Sequence, residues 1–178
     1  GALDGSFAGN LMMGFGLLSV VVAAFLLSRQ KDIKRLFAYS SIEHMGIVTF
    51  AFGMGGAIAN FAGLLHMTVH SLTKSAIFFA VGHATQKSGT QLMEGIRGLV
   101  TTSPVIGWGL MIGTLAILGM PPFGVFASEF LILTTAMREQ PWATPFLLLA
   151  LGIAFASVFS KLQPTERCVG LAHHQQGL

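Results

Sequence analysis

The apolar positions of this chain fall into long blocks separated by short polar punctuation. The first block covers 7–28 and is almost entirely apolar or small. The basic stretch RQKDIKR, 29–35, follows as a compact loop. A second block starts near Ser40, where Ser40 and Glu43 have capping-box spacing, and runs to about Met54. GMGG at 53–56 ends it. The third block, 60–83, reads NFAGLLHMTVHSLTKSAIFFAVGH, and a polar loop spans 85–104. The fourth is 105–137 and the fifth 142–159, entered through a Pro141-Trp142 turn and followed by polar residues from Lys161. The pattern predicts an all-α polytopic membrane protein with five transmembrane helices, one of them broken.

The fourth block carries the break. As one helix its 33 residues would be about 50 Å long, more than the ~30 Å hydrocarbon core needs. GMPPFG lies inside it, bounded by Gly119 and Gly124. Pro121 and Pro122 remove two amide donors from the ladder. Two half-helices joined by a short extended piece at membrane depth are expected. Such backbone is tolerable only where protein buries it or a wet cavity lines it.

Composition narrows the class further. The chain has 178 residues, 53% hydrophobic and only 10% charged, where a soluble domain is about one quarter charged. The formal net charge of +3 sits in loops and makes no nucleic-acid-like patch. Cys168 is the single cysteine, which excludes an intrachain disulfide framework. The chain starts at Gly1, and its first apolar run is as long as a spanning helix rather than a signal-peptide core. It reads as a fragment of a longer protein. Arg29, Lys31, Lys34, Arg35, Lys87, Arg97, Lys161 and Arg167 fall on one side if every helix crosses once, against Arg138 on the other. That bias assigns these loops to the cytoplasm.

The third block holds the candidate chemistry. His66, His70 and Lys74 are spaced i, i+4, i+8 and share one helical face within about 80°. Charged residues at that depth are expensive and by default suggest function. A snorkelling lysine is the bland alternative, but Lys74 lies about 13 Å from the nearer interface at ~1.5 Å per residue, beyond comfortable reach. A buried lysine can gain and lose its proton near neutral pH, which suits a relay. Histidine can accept a proton on one ring nitrogen and release it from the other. Satisfied core histidines are the bland reading of His66 and His70. Two metal ligands are too few for a site, and axial haem ligation would need facing histidines such as His44 with His66. Glu129, seven residues past the prolines, reads as an exit acid or an interfacial carboxylate. Glu43 reads as a capping carboxylate and His44 as an entry or branch point. Asp32 with its basic neighbours, and Glu94 with Arg97, read as solvated loops. There is no phosphate-binding glycine loop, CxxC pair or serine elbow in the sequence, and no cofactor is expected.

Four runs resemble a known family: DIKRLFAYSSIEHMG (32–46), H-x3-H-x3-K (His66, His70, Lys74), GMPPFGVFASEFLIL (119–133) and FASVFSKLQP (155–164). They are similar to the antiporter-like proton-translocating subunits of respiratory complex I, of Mrp-type Na+/H+ antiporters and of group 4 hydrogenase membrane arms. Within that family, SSIEHMG and MPPFGVFASEF resemble component F of hydrogenase-4 and its formate hydrogenlyase relatives. The resemblance implies a fold of about fourteen helices with two inverted five-helix repeats, each with one broken helix. The five blocks here look like the second repeat. By resemblance Lys74 is the central lysine, His66 and His70 its flanking histidines, Glu129 the terminal acid on the broken helix, and His44 a further polar-axis residue. The family's first half, with its glutamate–lysine pair, has no counterpart here. Beyond Pro164, TERCVGLAHHQQGL departs from the family's continuation, and 165–178 is expected to be a disordered polar tail.

The resulting expectation is a proton-translocating subunit of a bacterial inner-membrane redox complex. Its partners would be other membrane subunits and a peripheral hydrogenase or iron-sulfur arm, with the bilayer around it and no nucleic acid. A Na+/H+ antiporter and a passive membrane anchor are the rivals.

Overall fold

The computed structural model describes residues 5–92 and 103–162. The tail over 165–178 and residues 93–102 of the 85–104 loop lie outside the described residues. The described chain forms six helices: α1 (Gly5–Arg29), α2 (Ile33–Met54), α3 (Gly56–Ser88), α4 (Pro104–Ile117), α5 (Gly124–Glu139) and α6 (Thr144–Leu162). Among the described residues the β-structure is one isolated antiparallel bridge, Asp32 to Leu92. The helices over Ser6–Arg29, Gly56–Ser88 and Thr144–Lys161 are long and apolar enough to cross a membrane.

α2 begins well before Ser40. Asp32 is its N-cap, and its carboxylate accepts from the amides of Lys34 at 2.8 Å and Arg35 at 3.1 Å. The expected capping box is therefore corrected: Ser40 and Glu43 lie inside the helix and are buried. Asp32, Lys34 and Arg35 are helix-end residues rather than loop residues. The apolar block marked the segment that needs hydrocarbon, whereas the helix continues into polar residues wherever a side chain can close its first turn. α3 also overruns its block at both ends, here without a side-chain cap. It starts after Gly55 and stops at Gly89, whose left-handed φ of 68° lets its amide reach Thr85 O at 3.0 Å. The Ile33 amide also donates to Gln91 O at 3.1 Å, which ties the start of α2 to the end of α3.

α1 and α2 touch backbone to backbone. Gly9 and Gly16 on α1 meet Gly53 and Gly46 on α2. A Cβ at Gly16 would lie 2.6 Å from Phe50 N, and one at Gly53 would lie 2.6 Å from Met13 N. No L side chain fits there, and small residues are what lets membrane helices approach so closely. Met13, Val20, Leu27, Ile47 and Phe50 fill the space around this seam, and Ala150 and Ala154 of α6 join the same core. At the base of the pair the Lys161 ammonium donates to Leu27 O at 2.5 Å.

The break in the fourth block is where the prolines put it. α4 stops at Ile117, Gly119 takes a φ of 67°, and α5 starts at Gly124. The turn is closed by Met120 N to Leu115 O at 3.3 Å and Phe123 N to Met120 O at 3.1 Å. A second core of Ile33, Phe37, Ile77, Val81, Ile117 and Val125 clamps α2, α3 and the two half-helices together. The gap in the helix is thereby held against the polar face of α3.

Candidate functional site

The site is a seam between α2, α3 and α5. α3 contributes His66, His70 and Lys74 from its inward face, with His66 fully buried and Lys74 5% exposed. The Lys74 ammonium donates to Phe37 O on α2 at 2.6 Å and lies 5.2 Å above the Phe37 ring. The lysine head is thus turned into the protein, and the snorkelling alternative does not describe it.

The imidazoles make a connected chain. His44 Nδ1 on α2 and His66 Nε2 on α3 are 3.0 Å apart. His66 Nδ1 is 2.8 Å from Ser128 Oγ on α5. The Ser128 hydroxyl has one proton and lies 2.9 Å from Val125 O. If it donates there, it accepts from His66 Nδ1–H, and His66 Nε2 then accepts from His44 Nδ1–H. Reversing each bond gives the opposite order. A proton arriving at either end can therefore shift the whole chain. His44 Nδ1 also lies 3.5 Å from Glu129 Oε1, so in the tautomer that protonates this nitrogen it faces two acceptors. His70 lies beside the pair, its ring tilted against that of His44 at a centroid distance of 4.7 Å. Its buried Nδ1 has no hydrogen-bond partner among the described residues.

Glu129 reaches this chain because the helix is broken. Its carboxylate occupies the space left by Gly119, where an added Cβ would overlap Oε2. Gly119 is therefore required twice, by its positive φ and by the carboxylate against it. A cleft of about 300 Å³ opens beside these groups. Phe37, Ser40, Glu43, His44 and Glu129 line one side, and Phe155 and Val158 of α6 line the other.

All five residues singled out from the sequence, Lys74, His70, His66, His44 and Glu129, lie on this seam. Pro121, Pro122, Gly119 and Gly124 bound the gap that admits Glu129. Two residues of the site were not expected. Ser128 bridges α5 to His66, and its only sequence signal is its place beside Glu129 in the FASEF run. Glu43 lines the cleft with a buried carboxylate, and the late start expected for α2 hid it.

Metal and haem readings meet the same geometry. The ring nitrogens of His44, His66 and His70 lie within 4.8 Å of one another, so α2 supplies a third imidazole. At 3.0 Å, however, His44 and His66 are hydrogen-bonded to each other. Two nitrogens on one tetrahedral ion, with bonds of ~2.0–2.1 Å, stand roughly 3.3 Å apart, and axial haem ligands stand about 4 Å apart. The pair is within hydrogen-bonding distance, a spacing at which a proton can be shared.

Residues 3–159 match the family described as NADH:quinone oxidoreductase/Mrp antiporter, transmembrane. The chain belongs to this family. It is 56% identical over 155 residues to a hydrogenase-4 component F homolog of Methylacidiphilum infernorum, covering 87% of this chain and 33% of that one. It is 33% identical over 150 residues to NADH-quinone oxidoreductase subunit M of Pseudomonas aeruginosa, covering 84% of this chain and 29% of the relative. Among solved structures, the membrane-bound sulfane sulfur reductase, an archaeal respiratory membrane complex, superposes with a TM-score of 0.83 at 32% identity, over 88% of this chain and 32% of that chain. The chain spans about a third of the length of the curated relatives it matches. The family resemblance and the all-α antiporter-like membrane fold read from the four sequence runs both hold.

Proposed function

We propose that this chain is the proton-conducting part of an antiporter-like membrane subunit, working in a hydrogenase-4, formate hydrogenlyase or complex I-like redox complex. The observation that carries the reading is the buried hydrogen-bonded chain from Ser128 through His66 to His44, with Glu129 at 3.5 Å. Each member can pass a proton on without leaving its place, and the broken helix presents the terminal carboxylate to it. Lys74 and His70 extend the chain along α3. Electrons would stay in partner subunits, whose redox steps would shift hydration and charge along the seam. Other membrane subunits and a peripheral hydrogenase or iron-sulfur arm are the partners this reading calls for.

The proposed setting is the bacterial inner membrane with the basic ends in the cytoplasm. Two contacts support that grouping of charge: Ile33 to Gln91 and Lys161 to Leu27 gather the basic termini of α1, α2, α3 and α6 at one end. Arg138 ends α5 at the other.

The family description also names the Mrp antiporter, which favours Na+/H+ exchange as a second reading. Proton uptake by inverted vesicles carrying the full-length subunit in its complex separates the two. Redox-driven uptake that is unchanged by sodium and falls at least tenfold in Glu129→Gln supports the proposal. Uptake that needs sodium and no redox substrate replaces it with the antiporter.

A further inference from the structure

Glu43 is the one carboxylate on the seam with no part in the relay described above. It is 3% exposed, in the middle of α2, and adjacent in sequence to His44. Its Oε1 is buried with no hydrogen-bond partner among the described residues. A carboxylate kept in hydrocarbon for structure alone is expected to be paired and fully bonded, because an unsatisfied buried acceptor is costly. Glu43 is neither. The buried ammonium of the seam, Lys74, donates to the Phe37 carbonyl. Phe37, whose carbonyl holds the Lys74 ammonium, lines the same cleft as Glu43. Glu43 shares with Glu129 this cleft, whose volume of about 300 Å³ has room for several water molecules.

We propose that Glu43 is a proton-carrying member of the axis, standing in series between Lys74 and Glu129. This rests on the relay reading of the seam. The Lys74 ammonium gives one proton to the Glu43 carboxylate, which leaves a neutral amine and a neutral acid. The Glu43 acid then gives that proton, through water in the cleft, to the Glu129 carboxylate and is itself restored as a carboxylate. The first step is favoured because it removes a charge pair from apolar surroundings. Repulsion between two carboxylates on one cleft favours the same step, since it leaves one of them neutral, and the second step only passes that proton from one acid to the other. Consecutive residues of α2 then serve two branches that meet at one acid: Glu43 brings protons from Lys74, and His44 connects the His66 chain. The open valence on Glu43 Oε1 is what a group that must change partners requires.

The test is redox-driven proton uptake by vesicles carrying the full-length subunit in its complex, with Glu43→Gln, Lys74→Ala and the double variant. Members of one series fail together. Glu43→Gln is expected to lower uptake at least tenfold, with the double variant within twofold of Lys74→Ala alone and Glu43→Asp recovering part of the loss. Uptake within twofold of wild type in Glu43→Gln, with Lys74→Ala inactive, overturns the role of Glu43 and leaves the relay standing. A double variant whose defect is the product of the two single defects overturns the series. Wild-type uptake in Lys74→Ala removes the relay itself. If Glu43→Gln does not assemble, an apolar carbodiimide decides on the unmodified complex, since it adds to protonated carboxyls. Modification at Glu43 mapped by mass spectrometry supports the assignment, and modification at Glu129 alone overturns it.

Discussion

α2 carries two unlike faces, and the contrast between them explains how this fold keeps buried polar groups inside a tightly packed bundle. One face, with Gly46 and Gly53, meets α1 with so little side chain between the backbones that no Cβ can be added. The other, with Phe37, Glu43 and His44, meets α3 and α5 through long polar side chains beside a cleft. The first seam is dry, since nothing as large as a Cβ fits between the backbones. The second keeps bonding capacity in hand: His44 Nδ1 lies within reach of both His66 and Glu129, and His70 Nδ1 and Glu43 Oε1 have no partner among the described residues. Rigidity and polarity are divided between the faces of one helix. The glycine seam fixes where α2 stands, and the polar seam can then hold unsatisfied groups that would loosen a less constrained interface.

Breaking the dry seam should have the largest effect. Gly53→Leu must push α1 away from α2, because even a Cβ there would lie 2.6 Å from Met13 N. Overpacking of a core costs about 1–3 kcal/mol where side chains can yield, and here the obstacle is backbone. The full-length protein is expected to lose most of its folded, membrane-inserted population, measured as detergent-resistant subunit in the membrane fraction. Near-normal amounts would mean that the α1–α2 contact can open without harm.

Gly119→Ala sharpens the comparison from the polar side. It leaves the glycine seam alone but puts a methyl group where Glu129 sits, at a φ of 67°. Proton uptake should fall about tenfold, consistent with a loss of about 1.4 kcal/mol in placing the acid. The amount of subunit should fall much less than in Gly53→Leu. The smallest effect belongs to Ser128→Ala. It removes one hydrogen bond to His66, worth about 1 kcal/mol. Uptake should fall severalfold with assembly unchanged, and Ser128→Thr should retain it. Equal loss in the alanine and threonine variants would show that the hydroxyl is not part of the path.

The sequence made the helices and the α3 stripe legible and hid much of both faces of α2. Helix number, the broken fourth span and the His66, His70, Lys74 stripe follow from apolar length, two prolines and a four-residue period. His44 and Glu129 stand out in the sequence, yet their approach to within 3.5 Å depends on α2 and α5 meeting across the break, which no local pattern encodes. Glu43 is hidden because Ser40 and Glu43 mimic a capping box, and the true cap, Asp32, lies among basic residues that resemble a loop. The glycine seam is invisible for a related reason. Gly9, Gly16, Gly46 and Gly53 mean little until two helices are paired, and only then does their shared lack of a side chain become a contact.

The central claim is that the seam between α2, α3 and α5 moves protons rather than merely holding helices together. The direct measurement is the number of protons translocated per electron pair by the complex in vesicles when the full-length subunit carries Lys74→Ala. The account predicts a lower ratio with the subunit present in normal amount and redox turnover retained. An unchanged ratio at normal subunit level would contradict it.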